Sequence, residues 1–234
     1  MTFDYGQTLA ELDMVFLSSR ALEWGARVDA TRLDLASPGA WGAYDEAKRQ
    51  GLSGHDAWTT FMRTLLTRAG VTSSAAPGTD VTSDLVEYLW SQQPRRNLWR
   101  RHIAGMKELV EGLAGSGFPL GIVSNSEGRL AELLEEVGLG SYFAFVADSG
   151  LLDFEKPDRR IFEYAAAGLG VAPAELVHVG DAWVADIEGA LGVGARAIWV
   201  TDSAASATGL PPGVAACRGA GEIRSALRAL GVPA

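Results

Sequence analysis

Residues 1–9 read Met1-Thr2-Phe3-Asp4-Tyr5-Gly6-Gln7-Thr8-Leu9, and the rest of the chain is organised around them. Thr2-Phe3-Asp4 has the makings of a short strand, with Gly6 placed for a tight turn behind it. A carboxylate at the carboxyl end of a first strand lies where open parallel sheets bind their ligands. An Asp in that place can act as a nucleophile, a metal ligand or both. It can also do no more than cap the following helix. Gly6 would expose a backbone carbonyl beside the carboxylate, and Thr8 can hydrogen-bond the turn.

Beyond Leu9 the apolar spacing is helical as far as about residue 96. Met14, Phe16, Leu17, Leu22 and Trp24 belong to one pattern that closes at Gly25. A second helix is expected from Gly39 to Gln50 after Pro38, and a third after Ser53-Gly54. A loop is expected from Gly70 to Asp80, then a fourth helix from Ser83 to Ser91, broken by Gln92-Gln93-Pro94. From Asn97 the pattern changes. A helix over Leu98–Leu113 leads to the strand Leu120–Val123, a helix from Glu127 to Val137 and a strand from Tyr142 to Val146. There follow a helix over Ile161–Leu169, a strand Leu176–Val179, a helix Asp186–Leu191, a strand Ala197–Val200 and a last helix Glu222–Leu230. Strands alternating with helices predict an α/β fold with a doubly wound parallel sheet. The first strand must join that sheet, since one strand is not stable alone. The expected organisation is a discontinuous α/β core, 1–13 and 97–234, with an all-helical cap over 14–96. A helical insert beside a strand end is placed to act as a lid.

Composition narrows the function. The chain has 234 residues, 47% of them hydrophobic, and a net charge of −9. That length suits one large domain or a domain with an insert. The acidic balance, without a basic-aromatic patch, argues against a nucleic-acid partner. One cysteine, Cys217, excludes an internal disulfide and suits a reducing compartment, and it reads as a small buried hydrophobe. No apolar run reaches the roughly 18 residues of a membrane span, and the chain opens on a strand pattern rather than a leader. A cytoplasmic protein is expected, monomer or homodimer, without a membrane partner.

Four strand or helix ends carry polar groups of one kind. Asp4 ends the first strand, and Ser124 ends Ile122-Val123-Ser124-Asn125. Lys156-Pro157-Asp158 opens a helix, and Gly180-Asp181 ends another strand, with Asp186 five residues on. In a parallel sheet these ends share one edge. Neighbouring carboxylates repel unless a divalent cation lies among them, and carboxylates with a backbone carbonyl are the hard oxygens Mg²⁺ prefers. A Ser hydroxyl, N–H groups and a Lys ammonium suit a phosphoryl group. The set reads as a metal-assisted phosphate site.

The ordered series FDYGQT, IVSNS, EKPDRRIF and HVGDAWVADIEGA resembles the haloacid dehalogenase-like (HAD) hydrolase superfamily, in the branch with a helical cap after the first motif. The resemblance covers about 150 residues of core plus the cap's position. It implies a Rossmann-like core, Mg²⁺ and hydrolysis of a small phosphorylated metabolite. It makes Asp4 the nucleophile that becomes an aspartyl phosphate, and the Gly6 carbonyl a Mg²⁺ ligand. Thr8 would orient the first motif, and Ser124, with Asn125 close by, would bind the phosphoryl group. Lys156 would balance charge; Asp181 would bind Mg²⁺, and Asp186 would support the metal or hold Lys156.

One position departs from the family's phosphatases. Where they usually carry an acid–base Asp, two residues after the nucleophile, this chain has Gly6. A positioned acid–base contributes about 10²–10⁴-fold in rate, so the departure allows three readings. Activated phosphates are the preferred substrates; a cap residue or Glu127 supplies the proton; or the protein binds phosphometabolites with little catalysis. Dehalogenases resemble the chain less, typically having Tyr at that position and Ser-Ser-Asn where this chain has Gly180-Asp181. A phosphonatase needs a cap Lys for a Schiff base, and Lys48 is the cap's one lysine, though it also reads as a solvated helix charge.

Other residues have plainer readings. His178 reads as a core or edge-lining histidine, His102 as surface, and His55 as a surface or substrate-facing group near a helix start. Trp41, Trp58, Phe61 and Met62 fit cap packing. Arg95, Arg96, Arg100 and Arg101 read as a solvated hinge with local ion pairs. Trp183 could shield the site or pack on the cap.

Overall fold

The computed structural model describes residues 1–52, 54–73, 80–202 and 209–233. Ser53 and most of the loop expected over 70–80 lie outside the described residues. The chain divides into two compact units, one of residues 1–11 and 99–234, the other of residues 12–98.

Strand β1 (Thr2–Phe3) leads through a tight loop to β2 (Ala10–Leu12). In the loop Tyr5 O accepts from Leu9 N at 2.9 Å and from Ala10 N at 3.0 Å. The left-handed residue there is Gln7, at φ 55°, not Gly6 as the sequence suggested.

The second unit then begins. Its first helix, α1 (Met14–Trp24), is capped by Asp13, which accepts from Phe16 N, and closes on Gly25 at φ 102°. Next come β3 (Ala26–Arg27), α2 (Ala30–Arg49), α3 (Gly54–Ala69), β4 (Thr72–Ser73) and α4 (Val81–Gln92). The insert is therefore not all-helical: β3 and β4 pair antiparallel, Ala26 opposite Ser73. Helix α2 also starts nine residues before the expected boundary. Asp29 caps it, and Pro38 sits inside it, where the ring removes one backbone hydrogen bond. Packing along α3 outweighs that loss, with Trp41 against Phe61 at 4.3 Å between ring centres.

The first unit resumes with β5 (Trp99–His102) and α5 (Met106–Gly115). The single helix expected over Leu98–Leu113 is thus a strand and a shorter helix. Pairing of β5 with β2 wins over local propensity, and Gly105 at φ 76° makes the corner. Strand β6 (Gly121–Ser124), helix α6 (Leu130–Glu136), β7 (Phe145–Asp148), α7 (Arg159–Leu169) and β8 (Val177–Gly180) follow. After β8 comes a π-helical turn, Trp183–Glu188, running into α8 (Gly189–Leu191). Strands β9 (Arg196–Val200) and β10 (Val214–Cys217) precede α9 (Ala220–Ala229).

Six of these strands form one sheet in the order β10-β9-β8-β1-β6-β7, and every pairing in it is parallel. The chain runs outward from β1 through β6 to β7, then crosses to β8 and runs outward the other way. β1 is the switch point, where such sheets open a crevice at their carboxyl ends. Alternate side chains face opposite sides. Phe3, Ile122, Val179 and Ile198 pack with α5, α6 and α9, whereas Val123, Ala147 and Ala197 pack with α7 and Ile187 of the π turn. Helices on both faces make this the expected doubly wound α/β fold.

Candidate active site

Each element delivers its polar group by register. Phe3 lies level with Ile122 on one side and Val179 on the other, and Asp4 N donates to Val179 O at 2.8 Å. Asp4 therefore emerges between the ends of β6 and β8. Ser124, the last residue of β6, donates from Oγ to Asp4 Oδ1 at 2.9 Å. Lys156 Nζ donates to the same oxygen at 2.6 Å and to Asp186 Oδ1 at 2.6 Å.

The loop after β6 owes its shape to Asp148 on β7. Its carboxylate accepts from Ser126 Oγ, Gly128 N, Leu130 N and Gly150 N at 2.7–3.1 Å. That knot delays α6 to Leu130, three residues after the expected start. Asn125, expected near the phosphoryl group, clamps the backbone of the lysine. It donates from Nδ2 to Lys156 O at 3.0 Å and accepts from Lys156 N at 2.8 Å.

Asp186 owes its seat to Gly180. A Cβ on Gly180 would fall 2.3 Å from Asp186 Cγ, well inside contact distance, so only glycine lets the carboxylate lie against the strand end. Asp186 Oδ2 accepts from Ala182 N at 2.9 Å across the π turn. Asp181 Oδ1 accepts from Thr8 Oγ1 at 3.4 Å, so Thr8 reaches across to the next acid as well as belonging to the first motif. Trp199 Nε1 holds the Asp181 carbonyl at 2.8 Å.

Asp4, Asp181 and Asp186 each offer a carboxylate oxygen within 4.8 Å of the others. Three carboxylates face one ammonium, and Asp4, Asp186 and Lys156 are all buried. Burial pushes the Asp4 carboxyl above the ordinary range; Lys156 opposes this and the Asp186 charge adds to it. Asp181 is lifted further by burial together with the charges of Asp186 and Asp4. Asp186 goes the other way: burial would raise it, but the Lys156 charge and the His178 hydrogen bond hold it below the usual range. Lys156 stays protonated, because Asp186 and Asp4 outweigh its burial. Clustered hard oxygens with an uncompensated negative charge fit a small divalent cation.

Gly6 is not demanded by the backbone. It lies outside the left-handed region, and a Cβ there would make ordinary contact with Trp99 at 3.5 Å. Glu127, the alternative proton source, is raised to about 7 by burial, the Asp148 charge adding to it. Lys48 is half-buried in the last turn of α2. His55 lies 3.3 Å from Glu87 and against Trp90. Arg96, Arg100 and Arg101 pair with Glu23, Glu136 and Glu11. Trp183 stacks edge-on against Trp199 at 4.7 Å and donates to Glu188.

Three neighbours escaped the sequence reading: Thr2, His178 in its contact with Asp186, and Trp199. The register carries the missing signal, since Thr2 lies directly beside His178 on the sheet, and strand pairing is not written in either residue alone.

A family model for haloacid dehalogenase-like hydrolases matches residues 28–194. The chain belongs to that family. Among curated HAD relatives, it is 30% identical over 208 residues to haloacid dehalogenase-like hydrolase domain-containing protein 3 of Bos taurus, covering 86% of this chain and 80% of the bovine one. It is 40% identical over 85 residues to a phosphoserine phosphatase of Thermus thermophilus, an alignment spanning 36% of this chain and 34% of that enzyme. A HAD hydrolase of Bacillus subtilis, solved with magnesium bound, aligns over 99% of this chain and 97% of its own at 20% identity and a TM-score of 0.64, a likeness of fold.

Proposed function

We propose that this HAD-like hydrolase is a Mg²⁺-dependent phosphohydrolase of a small phosphorylated metabolite, with Asp4 as nucleophile and an aspartyl-phosphate intermediate. The observation that carries the reading is the convergence of Ser124, Lys156 and Asp186 on Asp4 at 2.6–2.9 Å, directly or through the lysine, with Asp181 close by. The phosphoserine phosphatase relative agrees with it.

Asp4, Asp181, Asp186 and the Gly6 carbonyl are the groups that would hold Mg²⁺, which supplies positive charge to the transferring phosphoryl group. Asp4 attacks phosphorus, the ester oxygen leaves, and water then cleaves the acyl phosphate to regenerate the carboxylate. Lys156 and Ser124 hold Asp4 in one orientation, and both are donors to phosphoryl oxygens once the nucleophile has reacted. The helical unit, residues 12–98, is the cap in this reading and sets substrate choice. With Gly6 in place of an acid, the leaving oxygen departs without a proton from that position, so aryl phosphates should react faster than alkyl phosphates.

Hydrolysis of an aryl and an alkyl phosphate, with and without Mg²⁺, tests this beside Asp4→Asn. Metal-dependent turnover lost in the variant is expected. Equal turnover in Asp4→Asn would remove the reading. Gly6→Asp, for which the backbone has room, should raise alkyl phosphate turnover by up to about 10²-fold, measured as kcat. Binding of Mg²⁺ and a phosphate analogue with no turnover on either ester would favour the binding role that Gly6 also permits.

A further inference from the structure

We propose that Thr2 and His178 form a buried positioning pair that holds Asp186 in the orientation the Mg²⁺ site needs; this rests on the phosphohydrolase reading above. His178 is fully buried on β8, and Thr2 is fully buried on β1. The parallel register sets them side by side. His178 Nδ1 lies 3.0 Å from Thr2 Oγ1, and Nε2 lies 3.1 Å from Asp186 Oδ1. The edge-on ring of Phe162, 5.2 Å between centres, walls the imidazole on α7's side.

The hydrogen-bond directions follow from the partners. An ionised carboxylate only accepts, so Nε2 carries the proton that goes to Asp186. A neutral ring then has its lone pair on Nδ1, and the Thr2 hydroxyl is the donor facing it. The run is Thr2 Oγ1–H to Nδ1, then Nε2–H to Asp186 Oδ1. Lys156 also donates to that oxygen at 2.6 Å, while Ala182 N takes Oδ2 at 2.9 Å. Gly180 gives Asp186 its place against the strand. Three donors thus fix a carboxylate within an irregular turn, and two of them, Lys156 and Ala182, belong to segments outside the sheet. His178 is the donor anchored in the sheet itself. Without it Asp186 Oδ1 keeps Lys156 as a donor but loses the one fixed to the strand. Donors behind a carboxylate or imidazole ligand commonly govern its aim, and losing one costs about 10–100-fold in metal affinity or activity.

The test uses the intact protein and two readouts. Nitrogen-15 NMR of the metal-free protein should show His178 as the Nε2–H tautomer, and Thr2→Val, which keeps the side-chain shape, should disturb that signature. Mg²⁺ titration by calorimetry should show affinity weakened about tenfold or more in Thr2→Val and His178→Leu. His178→Gln, whose amide nitrogen reaches about as far as Nε2, should recover part of it. A Nδ1–H tautomer in the wild type overturns the proposal whatever the metal does. Wild-type Mg²⁺ affinity in a folded Thr2→Val overturns it too, and this variant decides the matter if His178→Leu fails to fold. A wild-type protein that shows the Nε2–H tautomer but binds no Mg²⁺ contradicts the phosphohydrolase reading and, with it, any positioning role toward the metal.

Discussion

Among the described residues, two lysine or arginine side chains are buried, and their surroundings differ. Lys156, in the α/β unit, donates to Asp4 and Asp186 at 2.6 Å each. Arg20, in the helical unit, is 1% exposed and has one ionic partner, Glu23, which it shares with Arg96. Its Nε and Nη2 have no acceptor within reach, and neither do Trp58 Nε1 and Gln93 Nε2; among the described residues, all such buried side-chain atoms belong to the helical unit. The α/β unit buries more charge and leaves none of its buried side-chain donors unpaired there. Burial of charge is therefore not one phenomenon here. Around Lys156 it builds a network in which each partner restrains the next; around Arg20 it amounts to an arginine stem packed among apolar groups with its head partly unmatched.

Removing each cation should separate the two cases. Lys156→Met leaves two buried carboxylates facing each other, so it should cost about 3–5 kcal/mol of unfolding free energy at neutral pH, read by urea denaturation. The loss should shrink in acid as Asp4 takes up a proton. Arg20→Met removes unmatched donors, each costing about 1–3 kcal/mol, but also a contact over Tyr88 at 5.1 Å worth about 0.5–1 kcal/mol. The variant also gives up the hydrogen bond to Glu23 at 2.7 Å, so gains and losses largely offset, and the net change should stay within about 1 kcal/mol of the wild type. Equal losses at the two positions would break the comparison.

Protonation sharpens it further. Asp4 and Asp181 are raised above the ordinary carboxylate range, so in mild acid they hold protons that a cation must displace. Mg²⁺ affinity should rise with pH through that range, by about tenfold per pH unit for each proton released, and calorimetric heats should vary with the buffer's ionisation enthalpy. A pH-independent affinity would mean that the acids are already ionised without metal.

The α/β core was legible because its signals are local. β-branched runs end in polar residues, glycines follow, and the four motifs fall in order, so Asp4, Ser124, Lys156, Asp181 and Asp186 could be named before any geometry. The helical unit was less legible. Pro38 reads as a boundary, yet α2 runs through it because α3 supports both sides. β3 and β4 are two residues each, too short to carry a period. β5 reads as a helix start because its partner β2 is almost ninety residues away, and long-range pairing leaves no local mark. The same holds inside the site: Thr2 and His178 meet only through register, and Asn125 bonds the Lys156 backbone 31 positions along the chain. Gly6 misled in another way. It looked like the hinge of the first turn, but Gln7 takes the left-handed conformation, which leaves the missing acid unexplained by backbone need.

The most direct measurement is a search for covalent phosphate on Asp4. The protein would be mixed with an aryl phosphate and Mg²⁺, quenched in acid, and analysed by peptide mass spectrometry with and without hydroxylamine. The proposed reaction predicts a phosphate adduct on the peptide containing Asp4, lost in hydroxylamine and lacking in Asp4→Asn. Turnover of the ester with no adduct on that peptide under rapid quench, or an adduct that persists in Asp4→Asn, would contradict it.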